Sequence, residues 1–181
     1  MQPKIAFIST VRNEAESISS FIDGLLNQSR QADEIIIVDG NSNDGTNEIL
    51  RNYENLGKIK LITKECNIAE GRNIAIRSTD CDIISVTDAG CRPDASWLEE
   101  ITNELLSDAN IHAVSGKIVP ESHNLLEHYC GLLSLPDHNT EQQSELFYGR
   151  CSAFRRTLWE TIKGYPEWLY TAEDSLFALA A

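Results

Sequence analysis

The chain has 181 residues and a formal net charge of −13, with 15 Lys and Arg against 28 Asp and Glu. A strongly acidic surface repels phosphate backbones and anionic lipid head groups, which argues against nucleic-acid binding and against binding to a membrane surface. Apolar residues make up 41% of the chain and charged residues 24%. This composition excludes a disordered protein and fits one globular domain with a sizeable core.

Strands and amphipathic helices alternate over the first 115 residues. Continuous apolar runs, such as Ile-Ile-Ile-Val at 35–38, are typical of strands buried on both faces, whereas apolar residues at helical spacing predict helices. In chain order we predict a strand at 5–9, a helix at 18–26, a strand at 34–38, a helix at 46–55, a strand at 58–63, a helix at 69–78, a strand at 82–86, a helix at 97–105 and a strand from 111. This alternation predicts an α/β fold, Rossmann-like, with a mainly parallel twisted sheet and helices on both faces.

The pattern is looser in the last third of the chain. Residues 121–150 give no firm assignment, residues 155–163 resemble a helix, and Gly-Tyr-Pro at 164–166 interrupts it. The segment Thr-Ala-Glu-Asp at 171–174 is similar to a capping box and predicts the start of a last helix. Because the sequence stops two turns into that helix, we expect a longer protein.

The cysteines and the N-terminus indicate the compartment. There are five cysteines, an odd number with no C-x-x-C spacing, which argues against a zinc ribbon and a disulfide scaffold. The apolar run at 5–8 is too short for a signal-peptide core or for a membrane span, which needs about 20 residues. We therefore predict free thiols and a cytoplasmic protein, with the cytoplasmic membrane face as an alternative for a longer protein.

Polar residues follow the first two strands, at the sheet edge where ligands bind in such folds. The segment S-T-V-R-N-E at 9–14 has no glycine, which excludes a dinucleotide-binding G-x-G-x-x-G loop. Its simpler interpretation is a loop in which Asn13 caps the next helix. Asp39 ends the second strand and can accept hydrogen bonds from a ligand, whereas Asp44 and Thr46 also fit a plain turn and helix cap.

Three further segments carry charged candidates. Asp88 follows a buried strand and could ligate Mg²⁺ or Mn²⁺, although a helix cap or surface turn is the alternative. Gly71 permits close approach of a ligand and Arg72 could pair with a phosphate, whereas the alternative for Arg72 is a solvated helix residue. Glu173-Asp174 lies in a predicted first helical turn, where the helix dipole favours the ionised form that a general base needs; a simple capping acid is the alternative.

Taken in order, these segments resemble the family 2 glycosyltransferases of the GT-A fold, which use nucleotide-diphosphate sugars. The most specific piece is V-D-G-N-S-N-D-G-T at 38–46, similar to the family signature V-D-[DG]-[GN]-S-x-D-G-T. The others are the Asn-Glu turn at 13–14, the N-I-A-E-G-R-N segment at 67–73, D-A-G at 88–90, and G-Y-P-E at 164–167 followed by Glu173-Asp174. The resemblance spans nearly all of the chain.

The resemblance implies an inverting transferase that moves a sugar from a UDP- or GDP-type donor to an acceptor hydroxyl. The acceptor would be a sugar, a lipid-linked sugar or a polysaccharide, and Mn²⁺ or Mg²⁺ at Asp88 the cofactor. One domain, 1–181, would have a donor-binding half, 1–115, and an acceptor-side half, 116–181. Asp174 would take the acceptor proton, with Glu173 as the second catalytic candidate. The nucleotide-binding residues implied are Thr10, Val11, Asn13, Glu14, Asp39, Asn41, Gly71, Arg72, Asp88 and Ala89.

Two departures from the family pattern leave alternatives open. Gly90 stands where the family has the second acid of D-x-D, and Ala69 stands where glycine is usual. The missing acid favours a second hypothesis, a non-catalytic module that binds nucleotide sugars. A nucleotidyltransferase is a third option, but it would be expected to carry a glycine-rich basic loop after the first strand, which 10–14 lacks.

Overall fold

The structure, a computed structural model, describes residues 2–134 and 149–181. Part of the predicted acceptor-side half therefore lies outside the described residues. No helix within the described ranges is long and apolar enough to cross a bilayer.

A six-stranded sheet forms the centre of the fold, with strand order β3-β2-β1-β4-β6-β5. The strands β1 to β4 are parallel wherever they pair, and β6 runs antiparallel to both β4 and β5. Their bounds are β1 Ile5–Val11, β2 Glu34–Asp39, β3 Lys60–Thr63, β4 Ile83–Thr87, β5 Ala113–Ser115 and β6 Cys151–Arg155. The predicted α/β class with a mainly parallel sheet is confirmed.

Helices cover both faces of the sheet, because the continuous apolar strands offer a hydrophobic surface on each side. On one face the core joins β1, β2 and β4 to α3, α6 and α7; on the other, α1, α2 and α4 pack over the same strands. The helices are α1 Ile18–Leu26, α2 Thr46–Asn55, α3 Ile68–Arg77, α4 Trp97–Ser107, α5 Leu125–Ser134, α6 Arg156–Ile162 and α7 Glu173–Ala180.

The strand β6 and the helix α5 were not predicted, and the predicted capping box at the start of the last helix was wrong. The strand β6 has the sequence Cys-Ser-Ala-Phe-Arg, which contains no β-branched residue, so its pairing with β4 and β5 rather than its propensity makes it a strand. The helix α5 lies in the segment left unassigned. The last helix does not use Thr171 as a cap: it begins at Glu173, after Ala172 in a left-handed conformation (φ 60°), without a side-chain cap.

The register of the parallel strands brings their polar ends to one edge. Thr10 of β1 lies opposite Val38 of β2, and Val11 lies opposite Asp39. On the other side of β1, Ile8 lies opposite Val86, so that β4 ends at the same edge. The residues after β1, β2 and β4 therefore surround one common space.

Candidate active site

A cavity of about 670 Å³ opens at this edge of the sheet. It is lined by five of the predicted nucleotide-binding residues, and its other lining residues were not predicted, Arg12, Cys66 and Tyr170 among them. The predicted residues in its wall are Thr10, Val11, Glu14, Asp88 and Ala89. Its size suits a small-molecule ligand, since such sites usually measure about 300–1,000 Å³.

The loops after β1 and β2 are tied together by side chain–backbone hydrogen bonds. The Asn13 N–H donates to Ser42 Oγ (2.9 Å), and Asn13 Oδ1 accepts from the N–H of Asn43 (3.0 Å). The Glu14 N–H donates to Thr46 Oγ1 (2.8 Å). Asn13 adopts a left-handed conformation (φ 56°) and joins the two loops, so the alternative that it caps α1 is wrong.

The side chain of Asp39 fixes the loop that follows β2 by hydrogen bonds. Its Oδ1 accepts from the Ser42 N–H (3.0 Å) and the Ser42 hydroxyl (2.6 Å), and its Oδ2 accepts from Asn47 Nδ2 (2.6 Å). Asp39 is fully buried and does not line the cavity, whereas the next residue, Gly40, does. Asn41 is exposed and left-handed (φ 67°). The contact of Asp39 and Asn41 with a nucleotide stays a prediction.

Gly71 allows α3 to lie directly on the end of β1. A Cβ atom at this position would overlap the side chain of Thr10. The hydroxyl of Thr10 faces the same junction, is buried, and has no hydrogen-bond partner among the described residues. Thr10 also lines the cavity, but its hydroxyl oxygen is buried against α3 rather than exposed to the cavity.

Replacing Gly71 with Ala is expected to lower the free energy of unfolding by about 1–3 kcal/mol, because the added methyl group overpacks the contact with Thr10. Urea unfolding measures this. The matched control is Gly24→Ala in α1, where nothing lies within 4 Å of the added Cβ. That change should stabilise the protein by about 0.5–1 kcal/mol, because alanine is the better helix former. Equal effects of the two changes would contradict the close approach.

Arg72 is buried between two acidic side chains. Its Nη1 donates to Glu173 Oε1 (2.8 Å) and its Nη2 donates to Asp88 Oδ1 (3.1 Å). Its guanidinium carbon lies 5.3 Å from the ring centroid of Tyr165. The solvated alternative for Arg72 is wrong. Burial opposes the charge of the guanidinium, but the surrounding groups Tyr165, Asp88 and Glu173 outweigh burial and raise its pKa.

Hydrogen bonds from Asn67 and Asn73 attach the turn at residues 164–167 to α3. Asn73 uses both ends of its amide: Oδ1 accepts from Trp159 Nε1 and the Tyr165 N–H, and Nδ2 donates to the Tyr165 carbonyl and Glu167 Oε1, each at 2.9 Å. Asn67 Nδ2 donates to the Glu167 carbonyl (2.7 Å). The hydrogen bond from Asn73 and the pairing with Arg77 hold the pKa of Glu167 below its usual value.

The helix α7 places its two acidic residues differently. Glu173 is buried against Arg72, whereas Asp174 is half-buried and faces Gly149, where an added Cβ would lie 2.8 Å from Asp174 Oδ2. Asp174 Oδ1 accepts from the N–H of Ser175 (2.8 Å). Arg72 thus connects Glu173 to Asp88, which lines the cavity. No role of their own was predicted for Asn73 and Tyr165, although both belong to segments that carry the family resemblance, at 67–73 and 164–167.

The residues around Asp88 fit a divalent cation only in part. No group of three or more His, Cys, Asp or Glu side chains that could hold a metal ion occurs within residues 2–134 and 149–181. Arg72 occupies Oδ1 of Asp88, while Oδ2 lies 3.8 Å from Arg150 Nε and the side chain is 39% exposed. Both oxygens of Asp88 therefore have a guanidinium partner, and a cation could bind only at Oδ2, the more weakly paired oxygen, by displacing Arg150 and taking its other ligands from a diphosphate and water.

Comparison with known proteins identifies the family. The family model described as "Glycosyl transferase family 2" matches residues 6–162. The chain belongs to this glycosyltransferase family. Glycosyltransferase AglE of Haloferax volcanii is 30% identical over 64% of the chain and 40% of its own length. The O-antigen chain rhamnosyltransferase RfbN of Salmonella typhimurium is 24% identical over 97% of the chain and 60% of its own length.

Solved structures confirm the predicted GT-A fold of this family 2 chain. The mannosyltransferase PcManGT of Pyrobaculum calidifontis, in complex with GDP-Man and Mn²⁺, matches 98% of the chain with a TM-score of 0.75 and 26% identity. TarS of S. aureus, in complex with UDP-GlcNAc, matches 98% with a TM-score of 0.74 and 19% identity. The chain spans 51% and 53% of these two proteins, respectively, and 40% and 60% of the curated relatives AglE and RfbN.

Proposed function

We propose that this chain carries the donor site and the general base of an inverting glycosyltransferase. The observation that supports this best is the linkage of Asp88, at the cavity, through Arg72 to Glu173, the residue next to Asp174. The donor would be a nucleotide-diphosphate sugar in the cavity of about 670 Å³. A GDP-sugar is supported by the mannosyltransferase bound to GDP-Man, and a UDP-sugar by the motif resemblance.

The residues have separate tasks in this reaction. Thr10 contributes to the wall of the donor cavity, and the hydrogen bonds between the loops at 12–15 and 40–46 keep that wall in place. Asp174 accepts the proton of the acceptor hydroxyl. The acceptor oxygen then forms its bond to the anomeric carbon as the bond to the diphosphate breaks on the opposite side, which inverts the configuration.

A divalent cation is part of the proposal. Asp88 Oδ2, which pairs with Arg150 at 3.8 Å, would hold the cation in place of Arg150. The cation would offset the charge of the leaving diphosphate, which a protein with a net charge of −13 otherwise repels. The Mn²⁺ in the related mannosyltransferase supports this, whereas Gly90 removes a second acidic ligand. We therefore expect the cation to bind together with the donor rather than before it.

The remaining parts of the proposal concern the whole protein. Residues 1–115 would bind the donor, and residues 116–181 would face an acceptor that is a sugar, a lipid-linked sugar or a polysaccharide. The protein would act in the cytoplasm or at the cytoplasmic face of the membrane. Gly90 favours one competing function, a module that binds nucleotide sugars without turnover.

Donor binding predicts a rise in melting temperature when GDP or UDP is added with Mn²⁺. Ligand at 100 times its Kd stabilises a protein by about 2.7 kcal/mol. For a chain of this size this corresponds to about 5–10 °C in a thermal unfolding experiment. Asp88→Asn should remove the part of the shift that depends on Mn²⁺. The control Asp94→Asn, an exposed acid on the same loop, should leave it unchanged.

The same titration can refute the proposal. No shift with either nucleotide at millimolar concentration, with and without Mn²⁺, would contradict a donor site in this cavity. An equal shift in the Asp88→Asn variant would show that the cation does not depend on this carboxylate.

A further inference from the structure

The guanidinium of Arg72 is enclosed on its edge and on its face. Its side chain is 3% exposed, and its two terminal nitrogens donate to acidic residues that lie 16 and 101 positions away in the chain. The Tyr165 ring covers the face at 5.3 Å and itself stacks on Phe177 of α7, with 4.2 Å between centroids. A diphosphate could reach this cation only by displacing Asp88 or Glu173.

From this geometry we propose that Arg72 is a positioning residue that couples the donor carboxylate Asp88 to the helix of the general base, rather than a ligand of the diphosphate. The inference rests on the proposed function, because it assigns Asp88 to the donor and Asp174 to the acceptor proton. In this arrangement Glu173 contributes through Arg72 and does not touch the substrate.

The start of α7 depends on this pairing. A carboxylate with an 8% exposed side chain needs a cation, and Arg72 is the one basic group within 4 Å of Glu173 among the described residues. The helix has no side-chain cap, and it follows Ala172 in a left-handed conformation that L-residues rarely adopt (φ 60°). The interactions of Arg72 with Glu173 and Tyr165 therefore keep the first turn of α7 in place, and Asp174 with it.

Asp88 accepts a hydrogen bond from the other terminal nitrogen of Arg72, Nη2. When a ligand or a ligand-bound cation binds Asp88, it competes with Arg72 for the carboxylate. The interaction of Arg72 with Glu173 then becomes stronger, because Arg72 shares its charge with one carboxylate fewer. Donor binding and the placement of Asp174 are thus linked through one side chain. A lysine cannot replace it, because an ammonium group lacks the planar fork that reaches two carboxylates at once.

The test compares Arg72→Lys, Glu173→Gln and the double variant in donor binding and in turnover. We expect each single variant to bind the nucleoside diphosphate within about threefold of the wild type. We also expect each to lose about 10- to 100-fold in kcat, because small displacements of a reacting group have effects of this size. The double variant should be no slower than Arg72→Lys alone, since both changes break one link. The control Arg77→Lys alters a half-exposed pair on the same helix and should change neither quantity.

A second measurement does not depend on activity. The amide of Leu176 donates to the carbonyl of Ala172 and closes the first turn of α7. Its hydrogen exchange should be faster in Arg72→Lys and in Glu173→Gln than in the wild type, and unchanged in Arg77→Lys. Unchanged exchange in both of the first two variants would overturn the inference even if the wild type shows no turnover. A higher donor KM with unchanged kcat in Arg72→Lys would also overturn it, because Arg72 would then be a donor ligand. By contrast, the proposed function fails when the wild type neither binds a nucleotide nor transfers a sugar.

Discussion

Replacing Asp174 with Asn is expected to lower the rate of sugar transfer about 10²- to 10⁴-fold, the usual contribution of a general base. The amide has the shape of the carboxylate but cannot take the proton of the acceptor hydroxyl. The affinity for the nucleoside diphosphate should stay within about twofold, because Asp174 belongs to α7 and does not line the donor cavity. Single-turnover transfer and a calorimetric titration of the nucleotide measure the two quantities separately.

The control for this variant is Asp80→Asn, which changes the charge by the same amount on an exposed side chain. It should leave both the rate and the affinity unchanged. A transfer rate in Asp174→Asn close to that of the wild type would show that another group takes the proton. Nucleotide binding by the wild type with no turnover on any acceptor would favour the alternative of a non-catalytic binding module.

The position of the site was predictable from the sequence because it follows from the strands. Buried apolar runs give the strands, the parallel order aligns their carboxyl ends, and the polar residues directly after them must meet. Thr10 and Asp88 line the common cavity for this reason. Asp39 was also placed correctly at the end of β2, but its burial under the loop depends on Ser42 and Asn47, whose hydrogen bonds leave no periodic signal.

The contacts between α3 and the last third of the chain were not predictable. Arg72 and Glu173 are 101 residues apart, and Asn73 and Tyr165 are 92 apart. Neither periodicity nor local spacing indicates partners at such distances. The strand β6 was missed for a related reason: its place between β4 and β5 comes from tertiary pairing, since its own residues have weak strand propensity.

These long-range contacts make α3 the element that joins the two parts of the site. Through Gly71 it contacts β1, and its residues Ile68 and Glu70 line the donor cavity. Through Arg72 and Asn73 it holds the start of α7 and the turn at 164–167. Changes in the buried face of this helix should therefore affect stability and turnover together. The exposed Arg77 at the end of the helix should affect neither.

Asn73→Ala provides the strongest test of this role for stability. The side chain is 1% exposed and takes part in four hydrogen bonds, with Trp159, Glu167 and both backbone groups of Tyr165. Its removal leaves the Tyr165 amide and carbonyl without these partners in a buried place, at a cost of about 1–3 kcal/mol for each group. We expect a loss of about 3–5 kcal/mol in the free energy of unfolding, which corresponds to roughly 10 °C in melting temperature.

The sign of the change in the free energy of unfolding distinguishes lost hydrogen bonds of Asn73 from an effect of helix propensity. Alanine is the better helix former, so Asn103→Ala, at an exposed position inside α4, should stabilise the protein by a few tenths of a kcal/mol. The same substitution in α3 should strongly destabilise it, because the lost hydrogen bonds outweigh the gain in propensity. Urea unfolding of both variants measures the difference. A stabilising effect at position 73 would mean that the turn at 164–167 is held by other contacts, and that the position of Asp174 does not depend on the amide of Asn73.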